Sequence, residues 1–143
     1  MFVDSQWPIL HLHLRGTPTA AECDGIVERF EVWLDRHDAF GLVWHVWHLD
    51  EAALSSDGDS ARRLRVWAVA NRGRVAGPCI GIATIARSRR QRDTLAAVIV
   101  PGSPYVFGCP GEVFLATREG EIWLRSRLAR RPDRRIHDLS IPS

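Results

Sequence analysis

Four times between residues 7 and 129, a short apolar run gives way to a longer stretch whose apolar side chains recur every three or four positions. The short runs suit extended backbone, and the longer spacing gives a helix one apolar face. A strand followed by a helix and another strand needs a crossover connection, which sets the strands parallel. This alternation limits the chain, more than any motif does, to an α/β protein with a largely parallel sheet. Its 143 residues suit one domain and leave little room for two.

Phe2-Val3-Asp4, a turn near Ser5-Gln6 and a strand from Trp7 to Leu14 read as an N-terminal hairpin. In that strand Leu10, Leu12 and Leu14 point one way while Ile9, His11 and His13 point the other. Gly16-Thr17-Pro18 breaks it. Thr19 and Glu22 then form a capping box, T-x-x-E, that satisfies exposed N–H groups at a helix start. Behind it Ile26, Val27, Phe30, Trp33 and Leu34 make a one-sided stripe, and His37-Asp38 ends the helix. Phe40 to Leu49 is apolar on both faces, as befits a central strand covered on each side. Asp50 to Ser60 is a small acidic loop.

The spacing of Leu64, Trp67, Ala68, Asn71 and Val75 predicts a helix from about Ser60 to Arg74, stopped by Gly77-Pro78. Cys79 to Ala86 is the next strand. Ser88 and Gln91 offer a second capping box, opening a helix through Leu95, Val98 and Ile99 that ends before Pro101. Residues 101–111, rich in proline and glycine, read as irregular. Val113 to Ala116 is the last strand, and Thr117 caps a final helix. Glu119 and Glu121 in its first turn, with Arg125 and Arg127 towards its end, match the helix dipole. The expected fold is one α/β domain over residues 1–129, followed by a basic, flexible tail at 130–143. Its sheet is mixed, mostly parallel and four- to five-stranded, with the N-terminal hairpin and about four helices.

Three segments carry a family likeness: PILHLHLRGTPTAAE, RRLRVWAVANRGRVAGPCIGIATIARSRRQR and VFLATREGEIWLRSRL. In order and spacing they resemble the small STAS-like domains similar to anti-sigma-factor antagonists. The resemblance implies a single α/β domain that works by protein contact rather than catalysis. In regulatory members of that group a serine after the second main strand is phosphorylated. The resemblance directs that role to Ser55, Ser56 or Ser60, although the family's aspartate-serine-serine-glycine order is absent here. The acidic residues around these serines oppose added phosphate by like-charge repulsion.

All nineteen basic side chains are arginine. Residues 1–60 carry a net charge of −8 and residues 61–143 a net charge of +10. Within one compact domain such halves can neutralise each other. No apolar run approaches the roughly 20 residues that cross a bilayer, and no basic stretch precedes an apolar core at the N-terminus. Neither a membrane span nor a signal peptide is expected. Cys23, Cys79 and Cys109 form no CxxC pair and are odd in number, so they read as small core residues in a reduced cytoplasm.

Two clusters could carry chemistry. Arg87, Arg89, Arg90 and Arg92 crowd a helix start, where the dipole opposes positive charge and free N–H groups attract anions. A small anion, an acidic partner surface or the acidic first helix would each answer that crowding. The second cluster is His11-Leu12-His13, an H-x-H pair that a strand holds on one face about 7 Å apart. His45 or His48 offers a third metal ligand and Asp50 a carboxylate. The same histidines also suit a half-buried face where each ring finds a hydrogen bond. That second description is the one taken from the sequence, so no metal or other cofactor is expected.

Six tryptophans are many for this length; Trp33 and Trp67 fall on core faces, and Trp44 and Trp47 on opposite faces of a strand. No nucleophile elbow, glycine-rich phosphate loop or aromatic-interleaved basic motif occurs. The sequence thus leads to a non-enzymatic module that binds a protein partner or a second copy of itself, with no nucleic-acid partner. Its alternatives are a binder of small ligands using a Trp-lined pocket and the arginine cluster, or a His-ligated metal-dependent protein.

Overall fold

The two faces of the first long strand set the layers of the molecule. The computed structural model of the chain describes residues 2–15, 18–46 and 59–130. Its strands are β1 (Phe2–Gln6), β2 (Ile9–Leu14), β3 (Phe40–Val46), β4 (Cys79–Ile85) and β5 (Gly111–Phe114). Its helices are α1 (Ala20–Leu34), α2 (Asp59–Ala70), α3 (Arg72–Ala76), α4 (Arg89–Val106) and α5 (Thr117–Ala129). The strands lie in the sheet in the order β1-β2-β3-β4-β5, with β1 antiparallel to β2 and every other neighbour parallel. The single-domain α/β architecture, mixed and mostly parallel, is as the periodicity requires.

A sheet whose parallel strands follow chain order, joined by crossovers of one hand, collects its connecting helices on one face. Leu10, Leu12, Leu14, Leu42 and Ile82 pack there against Cys23, Ile26, Phe30 and Trp33 of α1. On the opposite face α5 lies over Ile9, Val43 and Ala83 through Leu124, Trp123 and Leu128. Glycines allow its close seating. A Cβ added at Gly41 would come within 2.9 Å of Leu124, and one at Gly120 within 3.1 Å of the Cβ of Ala83. Helix α5 crosses mainly β3, β4 and β5 and meets β2 least.

The first capping box forms in full: Glu22 N–H donates to Thr19 Oγ1 at 3.1 Å, and Thr19 N–H donates to the Glu22 carboxylate at 3.0 Å. Elsewhere several boundaries move. The hairpin turn is at Trp7-Pro8, not Ser5-Gln6, because β1 pairs through Gln6 opposite Ile9. The single helix expected to Arg74 breaks at Asn71, whose side-chain amide donates to Trp67 O. At α4 the Ser88 cap forms, but Gln91 turns its side chain to Arg87 N–H.

The largest correction is α4 itself, which runs through Pro101 and Pro104 to Val106. Both prolines face solvent, so the carbonyls they leave unbonded meet water, while Ser103 between them is buried and donates to Cys109 O. At α5 the cap position is Ala116 rather than Thr117, with the Glu119 carboxylate accepting from Ala116 N–H. Strand β5 accordingly begins at Gly111 instead of Val113. All three cysteines are buried thiols. Among the described residues no helix is long and apolar enough to cross a membrane.

Candidate metal centre

Strand alternation puts His11 and His13 on the face of β2 that looks towards α5. The parallel register then sets His13 directly beside His45 of β3, and His11 beside Val43. Three imidazoles therefore meet on neighbouring strands at their carboxyl ends, a place where open α/β sheets commonly bind ligands. The rings of His13 and His45 stack at 4.1 Å with 3° between their planes. His11 lies 5.2 Å from His45 and 6.3 Å from His13, ring centre to ring centre.

The nitrogens are closer than the rings. His11 Nδ1 is 2.9 Å from His45 Nε2. One ligand nitrogen from each histidine can be chosen so that all three lie within 4.8 Å of one another. A tetrahedral zinc with bonds of 2.0–2.1 Å holds its nitrogens about 3.3 Å apart. The His11–His45 pair is thus near ligating distance already, and His13, stacked on His45, joins it by rotating its ring so that its lone pair converges on the same point.

The electrostatics keep His45 in the ligating form. Burial holds the pKa of His45 down, and repulsion from His13 and His11 adds to this, bringing it to about 4. At neutral pH its ring is uncharged, with a lone pair to give. His11 is buried, with 8% of its surface exposed, whereas His13 and His45 are half-buried and so reachable from solvent. Glu121 of α5 brings carboxylate Oε1 to 3.4 Å from His11 Nε2.

The remaining expected sites lie elsewhere. Arg87, Arg89 and Arg90 are exposed, and Arg92 contacts the neighbouring Asp93 at 3.3 Å. Asp24 and Glu31 of α1 are paired by Arg63 and Arg74, each at 2.7 Å. A groove of about 680 Å³ is lined by Trp67, but with Arg62 and Arg63 rather than the arginines of α4. His48, Asp50, Ser55 and Ser56 lie outside the described residues, and Ser60 enters the first turn of α2. No protein-family model, curated protein or solved structure matches this chain.

Sequence reasoning found His11, His13 and His45 but not Glu121, which it assigned only to the helix dipole. Nothing local in the sequence links residues 11 and 121. The one available signal was the phase of α5: with Gly120 and Leu124 against the sheet, Glu121 falls at the helix margin nearest β2.

Proposed function

We propose that this protein binds a divalent first-row transition metal through His11, His13 and His45, zinc being the first choice. The observation that carries the reading is the convergence of one nitrogen from each of three imidazoles within 4.8 Å on two adjacent strands. Imidazole suits zinc, copper, iron and nickel, whereas magnesium and calcium prefer all-oxygen sites. Three histidines from rigid strands lose little conformational freedom on binding, and half-burial leaves the ion an entry path.

Chelator-treated full-length protein, titrated with Zn²⁺ by calorimetry and with Co²⁺ by visible absorption, tests this. One equivalent per chain is expected, with cobalt bands typical of histidine ligation. His13→Ala and His45→Ala should each weaken binding beyond the 10- to 100-fold typical of losing an outer partner. Equal affinity in the triple variant His11→Ala/His13→Ala/His45→Ala would overturn the proposal.

A second reading, contact with another copy of the chain, is favoured by the α1–α2 face. Val66 and Val69, one turn apart on α2, are 59% and 42% exposed beside the groove lined by Val27 and Trp67. Acidic α1 and arginine-rich α2 lie side by side there. A two-fold axis at this face would bring the two apolar patches together, a self-complementary arrangement. This reading accords with the STAS-like resemblance, which implies work through protein contact.

A further inference from the structure

With both rings neutral, the close pair of nitrogens, His11 Nδ1 and His45 Nε2, admits two arrangements. Either His11 Nδ1–H donates to His45, or His45 Nε2–H donates to His11. The distance alone does not choose between them, but Glu121 does. Its carboxylate oxygen lies 3.4 Å from the other nitrogen of His11, Nε2. If Nε2 were bare, its lone pair would face an acceptor with no proton between them. If Nε2 carries the proton, it points a donor at a carboxylate. The second arrangement is favoured.

We propose that Glu121 is the positioning residue of the centre: it holds His11 as the Nε2–H tautomer and so presents Nδ1 to the incoming ion. This rests on the metal-binding reading for its consequence, but the tautomer belongs to the metal-free protein. Carboxylate–histidine–metal chains of this kind orient the ring and raise its basicity. Glu121 is not itself a ligand, since the oxygen addresses the side of the His11 ring opposite Nδ1. The close seating of α5 through Gly41 and Gly120 is what brings the carboxylate there.

The proton inventory follows. In the metal-free protein His11 carries its proton on Nε2 and His45 carries its own on Nε2, donated to His11 Nδ1. When the ion arrives, His11 keeps its tautomer. His45 must give up the Nε2 proton and take one on Nδ1 from water, so both rings stay neutral and no net proton is released by this pair. Glu121 therefore presets one ligand, and His45 is the ligand that switches.

Nitrogen-15 NMR of the histidine rings in the full-length protein, before and after Zn²⁺, reads these states directly. His11 should show an unprotonated Nδ1 without metal and keep its tautomer with it, while His45 changes from Nε2–H to Nδ1–H. Glu121→Ala should lower zinc affinity by about 10- to 100-fold at unchanged fold. It should also release His11 into a mixture of tautomers. Glu121→Gln, which keeps an acceptor oxygen but no charge, should fall between. A wild-type His11 protonated at Nδ1, or a Glu121→Ala protein that binds zinc as tightly as wild type, overturns the assignment. If wild type binds no zinc, the metal-binding reading fails by itself, and the metal-free spectrum still decides whether Glu121 holds His11.

Discussion

A histidine in a strand takes its chemistry from the side chains beside it, and the three here show how far a local pattern reaches. Parity alone places His11 and His13 on one face, so that half of the cluster was legible in the sequence. Their partner was not: His45 and His48 were equal choices until the register of β3 against β2 was known. Charged pairs follow the same rule. Arg74 hydrogen-bonds the Glu31 carboxylate at 2.7 and 3.0 Å and thereby holds its pKa below the usual range. A lowered pKa in the folded state means the unfolded chain binds the proton more readily. The pair's contribution is complete above the unfolded value of about 4.3 and is lost as pH falls through the lowered folded value. Urea unfolding midpoints between pH 3 and pH 5 should thus fall less steeply for Arg74→Ala than for wild type, and identical slopes would contradict the pairing. The difference should be small, because both side chains face solvent.

Among the elements, α4 shows where sequence rules yield to packing. Pro101 and Pro104 read as stops because each removes an N–H and crowds the preceding turn. They are tolerated because they share the solvent side, leaving Leu95, Ile99 and Ser103 to hold the helix to β5. Two glycines of this pair of elements should respond oppositely to alanine. A Cβ at Gly111 would sit 2.6 Å from the Cβ of Ser103, forcing helix and strand apart. Gly111→Ala should cost about 1–3 kcal/mol, the range for overpacking. At Gly102 an added Cβ meets nothing within 4 Å, so Gly102→Ala should stabilise by roughly 0.5–1 kcal/mol through helix propensity. Chemical denaturation of the two variants checks both signs, and a destabilised Gly102→Ala would mean that the helix is not regular there.

For the whole molecule, ion pairs among the described residues join the acidic and basic halves of the chain. Arg63 and Arg74 of the basic half pair with Asp24 and Glu31 of the acidic half, so those two carboxylates need no external cation. Among the apolar side chains that stay outward are Val66 and Val69. If that face joins two copies, light scattering at high micromolar concentration should give a dimer. Val66→Asp should then give a monomer of unchanged stability, since Val66 packs little within its own chain. A wild-type protein that is monomeric throughout would remove the second reading and leave the metal site untouched. By itself the sequence determined the α/β class, the first capped helix and the two faces of the first long strand, because periodicity and capping act over a few residues. Only the tertiary structure decided the strand register that sets His13 beside His45, the passage of α4 through two prolines, and the approach of Glu121 to His11. Each of those depends on elements far apart in the chain, whose relative placement is set by the packing of the whole sheet and its two helical faces.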